Sequence, residues 1–355
     1  MADVWDWVGE AMQGFIDRRD RPRYEMGRLF YAGVDNIRQD PEKAVALLEA
    51  AKAASLHLEE RWWTILCDHW KCQVLLEKTR NIAAAAKLAN ELIAQTTGDK
   101  ASAGLPQLIC LHDDRAGAML SMDPFGYADQ IDADCSVIET KGADLTSCQH
   151  CSRATRIGVR LCENDLGAVE PAALQGIKQC TADRASHYLP IYYCALCMVA
   201  VRRKDWTGLA HWARSGELFY GNMGSESSNI ELLMWNAIAV LKRSDPEAAR
   251  KAYKKARNAG KTAGYKLTHN FYEALAAFHE ESGNLKLALT ALKMQLDNTS
   301  GAPYLEANTR LERIRILKAS GLPFDDDLVH LNSAAGLLRD PSQITDRLNS
   351  ILSGS

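Results

Sequence analysis

The chain has 355 residues, 47% of them apolar and 25% charged, with a formal net charge of −3. Those proportions belong to a well-packed globular chain and exclude wholesale disorder. The near-balance of 42 basic and 45 acidic residues excludes a globally basic nucleic-acid coat. At roughly 150 residues per domain, the length suits two domains or one extended array.

Ala, Leu, Glu, Lys and Arg dominate and clear alternating strand patterns are missing, so almost every segment reads as helix and the fold class is all-α. Residues 1–22, with Trp5, Trp7 and Phe15, read as an N-terminal capping helix. The opening residues lack the basic and then apolar regions of a secretory signal, so a cytoplasmic location with reduced thiols is expected. Asp-Pro dipeptides at Asp40-Pro41, Asp123-Pro124, Asp245-Pro246 and Asp340-Pro341 each mark a helix start. The Asp carboxylate accepts from first-turn amides, and Pro gives up an N–H that would be unpaired there.

Behind these starts a pattern of small and large residues recurs at i, i+4 and i+7, one face of a helix. The copies are Ala44, Leu48 and Ala51; Ala85, Ala89 and Leu92; Leu209, Ala213 and Gly216; Ala249, Tyr253 and Ala256; and Ala288, Leu292 and Gln295. Their first positions lie 41, 124, 40 and 39 residues apart, leaving room for two poorer copies around Tyr127 and Ala173. Twelve residues upstream, Ala32, Ala237 and Ala276 mark where the preceding antiparallel helix meets the first. Between these copies, Trp62, Trp63 and Trp70 read mainly as core, with one ring of the adjacent pair turned outward. The acidic stretch 121–147 fits the period worst and reads as a degenerate repeat, or alternatively as a joint between two halves. The longest apolar run, Tyr188 to Val201, falls short of the about 20 residues a membrane span needs and reads as a buried helix. Ser228 to Glu231 is a capping box for the next helix, and residues 301–355 read as C-terminal capping helices.

The segments Asp245-Pro-Glu-Ala-Ala-Arg-Lys-Ala-Tyr-Lys-Lys-Ala256 and Gly283-Asn-Leu-Lys-Leu-Ala288 resemble the second helix of the tetratricopeptide-repeat family. The resemblance extends over residues 23–300. It implies a right-handed superhelical α-solenoid of antiparallel helix pairs, with a period of about 40 in place of the usual 34. Each pair buries its apolar face only against its neighbours, and the stack presents an extended concave surface.

Catalytic signatures are missing: no phosphate-cradling glycine loop, no Gly-x-Ser-x-Gly elbow and no His-Glu-x-x-His. The pairs Cys148/Cys151 and Cys194/Cys197 have the C-x-x-C bite of a zinc site. Cysteines at helical spacing in apolar surroundings are expected to pack the core instead, with metal or redox chemistry as the alternative. Arg250, Lys254, Arg257 and Lys261 form one basic stripe on a helix face, suited to an acidic or phosphorylated partner or simply solvated. Nucleic acid is disfavoured there because no aromatic residues interleave with the stripe. Some tetratricopeptide domains grip a terminal carboxylate with Lys and Asn. The matching positions here are Leu29 and Gly33, Met234 and Ile238, and Glu273 and Ala277, so that clamp is not expected. Glu231, Asn270 and Glu273 would instead line a groove for a mixed or basic peptide.

The expected function is therefore a non-enzymatic adaptor, scaffold or inhibitor without a cofactor, binding a protein segment, free-standing or as a subunit of a larger complex. A ligand-responsive sensor hinged at the acidic joint is the alternative.

Overall fold

A computed structural model describes residues 4–37, 39–78, 81–97, 107–143, 146–183, 185–223, 230–243, 245–262, 269–297, 299 and 301–354. Among them are eighteen α-helices, and helices consecutive in sequence pack against one another. The protein is all-α, with the neighbour contacts expected of a helical-hairpin array. No helix among the described residues is long and apolar enough to cross a membrane.

The chain falls into two compact units: Met1–Leu120 with Asp129–Thr155, and Ser121–Ala128 with Arg156–Ser355. The first holds α1 (Val4–Asp17), α2 (Arg21–Asn36), α3 (Pro41–His57), α4 (Arg61–Gln73), α5 (Ile82–Thr97), nearly all of α6 (Gln107–Met122) and α7 (Ala128–Lys141), and the start of α8 (Thr146–Cys162). One π-helical turn, Val74–Lys78, extends α4. The second unit takes the end of α8 and the helices α9 (Leu166–Asp183), α10 (Leu189–Arg202), α11 (Trp206–Met223), α12 (Ile230–Lys242), α13 (Pro246–Thr262), α14 (His269–Glu281), α15 (Leu285–Leu296), α16 (Pro303–Ala319), α17 (Asp325–Ala335) and α18 (Ser342–Ser353).

In the first unit the core is aromatic. Trp63 is fully buried, with Phe15 and Phe30 rings 6.1 and 5.5 Å away, and Val8 and Phe15 of α1 join the same cluster. Trp62 is half-buried, and Trp70 packs on Trp5 at 5.3 Å, so of the adjacent pair one ring is core and the other partly outward.

The small-residue pattern is a packing pattern. Ala44, Leu48 and Ala51 are buried, as are Ala85, Ala89 and Leu92, Leu209, Ala213 and Gly216, and Ala288, Leu292 and Gln295. In the fourth copy Ala249 and Ala256 are buried and Tyr253 is half-buried, its ring stacked on Phe278 at 4.7 Å. The two poorer copies resolve as well. In α7 they are Ile131, Cys135 and Ile138; in α9 they are Val169, Ala173 and Gly176. The acidic stretch is thus mostly a helix with a buried face. The small positions let the next helix in: a Cβ on Gly176 would lie 2.5 Å from Cζ of Tyr192, and one on Gly216 would lie 2.7 Å from Cδ1 of Leu232.

The turns repeat too. Asn164 and Lys204 adopt φ of 57° and 56°, and Gly283 sits at 73°. The next residue in each case, Asp165, Asp205 or Asn284, donates its backbone N–H to a carbonyl five residues back and caps the following helix with its side chain. This is a left-handed turn that satisfies loose carbonyls, followed at once by an N-cap.

Among the Asp-Pro starts, Asp40 and Asp245 are N-caps, accepting from Lys43 at 3.0 Å and Ala248 at 2.8 Å. Asp123-Pro124 is not a helix start, because α7 begins only at Ala128. Asp123 is buried and accepts the backbone N–H of Gly126 at 2.9 Å, Arg339 at 2.7 Å and Asp340 at 3.1 Å, which pins a turn to the C-terminal segment. At Asp340-Pro341 the helix opens at Ser342, whose N–H the Asp340 carboxylate accepts, with no side-chain cap. The capping residues Ser228 and Asn229 lie outside the described residues.

Candidate functional site

In the second unit, α10 packs on α12 and α12 on α14, so the first helices of successive pairs form a layer. Met234 and Ile238 on α12 are fully buried and line no groove. Glu231 and Glu273 are half-buried, and Asn270 is exposed in the first turn of α14. The Cys194 thiol of α10 hydrogen-bonds Glu231.

Glu273 is the unusual member. It has neither a hydrogen bond nor an ion pair among the described residues. Burial raises its pKa, and the charges of Glu312 and Glu231 add to that, against the pull of Arg202 and Arg347. Those two cations are already engaged. Arg202 donates to the Leu161 carbonyl at 2.6 Å. Arg347 of α18 donates to Asn308 at 2.5 Å and to Glu312 at 3.0 Å. Beside them the Tyr304 hydroxyl bonds the sulfur of Cys162, a thiol that burial pushes up to about 11. Glu312 is itself paired with Arg315 and Arg347, and Glu273 faces Arg202 and Arg347 as well as Glu312 and Glu231, so what sets Glu273 apart is a desolvated carboxylate with no hydrogen-bonded partner among the described residues. A lysine or arginine side chain, or another amine, placed against Glu273 would offset that desolvation.

Arg202, Glu312 and Arg347 escaped the reading of the sequence. A signal for Glu312 was present, since Glu231, Glu273 and Glu312 are spaced 42 and 39 residues apart, at the repeat period itself.

The basic stripe lies on α13. Arg250, Lys254 and Arg257 are exposed, whereas the side chain of Lys261 lies outside the described residues. Arg250 and Lys254 have no ion pair among the described residues. Arg257 rests 5.9 Å from the Tyr253 ring centroid. The neighbouring cations are spoken for, Lys255 by Glu217 and Lys242 by Glu281.

The two C-x-x-C pairs belong to different units: Cys148 and Cys151 to the first, Cys194 and Cys197 to the second. Cys148, Cys194 and Cys197 are buried and Cys151 is half-buried. Burial pushes Cys151 and Cys194 well above the ordinary thiol range. Among the described residues no group of three or more His, Cys, Asp or Glu side chains is arranged to hold a metal ion.

A buried polar network stands in the first unit. Asp114 accepts from Gln73 at 2.5 Å and pairs with Nδ1 of His69 at 2.8 Å. Burial works against the His69 imidazolium, but Asp114 outweighs it and holds the pKa above the ordinary value. Next to it, burial pushes Asp113 up to about 6, with the Asp114 charge adding and the Cys151 hydrogen bond and His69 opposing. Asp134 likewise pairs with His112 at 2.7 Å and accepts twice from Arg115. Asp114 and Asp134 each have a counter-charge, as a structural network requires, whereas Asp113 has only the Cys151 hydrogen bond and the more distant charge of His69.

Compared with known proteins, the chain matches no family model and no curated protein.

Proposed function

We propose that this chain is a non-enzymatic, cytoplasmic adaptor or scaffold, a superhelical stack of tetratricopeptide-like pairs that holds a segment of a partner protein along the first helices of its second unit. The support is the recurring small-residue packing, the repeated turn and the resemblance in α13 and α15. The observation that carries the reading is Glu273: a half-buried carboxylate without a hydrogen bond or ion pair, flanked by two further carboxylates. A partner side chain with a positive charge, hydrogen-bonded to Glu273, would offset that desolvation beyond the Coulombic pull of Arg202 and Arg347.

The test compares capture from native lysate by wild type, Glu273→Gln and Glu273→Lys, read by mass spectrometry. A partner held by wild type, weakened at least tenfold in Glu273→Gln and lost in Glu273→Lys, supports the reading. A partner held equally by all three refutes the assignment of the site.

A further inference from the structure

A second surface lies on the other helix layer of this unit. Helix α15 buries Ala288, Ala291, Leu292 and Gln295 against its neighbours. Its opposite face carries Leu285, Lys286, Leu289, Thr290 and Lys293, positions that share one side of a helix. With Leu322 from the turn after α16, and Arg313, they line a groove of about 440 Å³. Leu285 is 37% and Leu322 48% exposed, so the groove floor is apolar and open to solvent.

The charged residues that line it, Lys286, Lys293 and Arg313, are all basic. Arg313 is satisfied by Asp327, at 2.9 Å, and by the Leu289 carbonyl, at 3.0 Å. Lys286 and Lys293 are exposed and have no ion pair among the described residues. They stand seven residues apart, two helical turns, along the groove edge. An apolar slot rimmed by two free ammonium groups complements an amphipathic segment that brings one or two leucine-sized side chains with carboxylates beside them.

We infer that the α15 face bounded by Leu285, Leu289 and Leu322 is a docking site for an acidic, leucine-bearing helical segment of another protein. This partner is distinct in charge and place from the one proposed at Glu273, so either assignment can fail alone.

The probe is a fluorescein-labelled 16-residue helical peptide with Leu at i, i+3, i+4 and i+7 and Glu elsewhere. Its binding to the full chain is followed by anisotropy. Saturable binding is expected, weakening as salt rises. Lys286→Glu/Lys293→Glu should weaken it at least fivefold: each exposed pair is worth a factor of about 1.5 to 5, and reversal turns attraction into repulsion. Leu322→Asp should weaken it similarly, and Glu273→Gln should leave it unchanged. All these substitutions are at exposed or half-buried positions, and unaltered melting curves establish that the variants fold. No saturable binding, or binding lost instead in Arg250→Glu/Lys254→Glu, overturns the inference. So does equal binding of a peptide with Lys in place of Glu. Sedimentation showing a dimer that Leu322→Asp dissociates would give the face to a second copy of this chain and overturn it as well.

Discussion

The packing of α9 against α10 makes a prediction with opposite signs at two glycines of one helix. At Gly176, an added Cβ would sit 2.5 Å from Cζ and 2.7 Å from Cδ1 of Tyr192, a ring that is fully buried. At Gly167, the added Cβ would meet only Oδ1 of Asp165, at 3.6 Å, an ordinary contact. Replacing helical Gly by Ala gains about 1 kcal/mol of backbone propensity in either place, somewhat less in a first turn. Overpacking against a rigid neighbour costs about 1–3 kcal/mol. Gly176→Ala should therefore destabilise by up to about 2 kcal/mol and lower the melting temperature by several degrees, whereas Gly167→Ala should be neutral or stabilising. Both are read by urea titration and calorimetry beside wild type. A double-mutant cycle supplies the mechanism. In a Tyr192→Leu background the ring is gone, and Gly176→Ala should turn neutral or stabilising. If Gly176→Ala stabilises wild type as Gly167→Ala does, the close approach of the two helices is wrong.

Three further outcomes follow from named contacts. Asp123→Ala removes the acceptor of three backbone N–H groups and should cost about 2–4 kcal/mol in urea unfolding; a wild-type midpoint would refute the anchoring role. The folded-state pKa of Asp113, about 6, lies above its ordinary 3.8, so its penalty is absent below pH 3.8, grows between the two values and is full above 6. Asp113→Asn should therefore stabilise at pH 8 by as much as about 3 kcal/mol and far less at pH 4.5, and a pH-independent difference would count against it. Asp327 has the opposite sign. Burial works against its charge, but Arg313 and Arg310 outweigh that and hold the pKa below the ordinary carboxylate value. Its stabilisation is present above that ordinary value and is lost as pH falls through the lowered one. Asp327→Asn should cost about 3 kcal/mol at pH 7 and progressively less as pH falls below 3.8, by the same titration.

Helix content and repetition were legible because both are local. The i, i+4, i+7 sets of Ala44, Ala85, Leu209, Ala249 and Ala288 record how closely one helix admits the next, and each turned out buried or half-buried. The buried α10 followed in the same way from an apolar run too short for a membrane. Local reading stumbled where a residue serves a distant segment. Asp123 has the form of an N-cap, yet its carboxylate holds N–H groups more than two hundred residues away. Nothing adjacent to it in sequence carries that information.

The candidate sites divide along the same line. Glu273 was legible from the chain as a groove residue, whereas Lys286 drew no notice. Whether a charge is paired is another matter, since pairing joins helices far apart in sequence. Arg347 takes Glu312, Arg202 takes a carbonyl of α8, Arg313 takes Asp327, and Glu273 and Lys286 are left over. The amino-acid order by itself determined the helices, the caps at Asp40 and Asp245, and the period at which the helices pack. Only the tertiary structure decided which side chains those helices leave unsatisfied, because desolvation and ion pairing depend on neighbours that only the folded chain brings within reach.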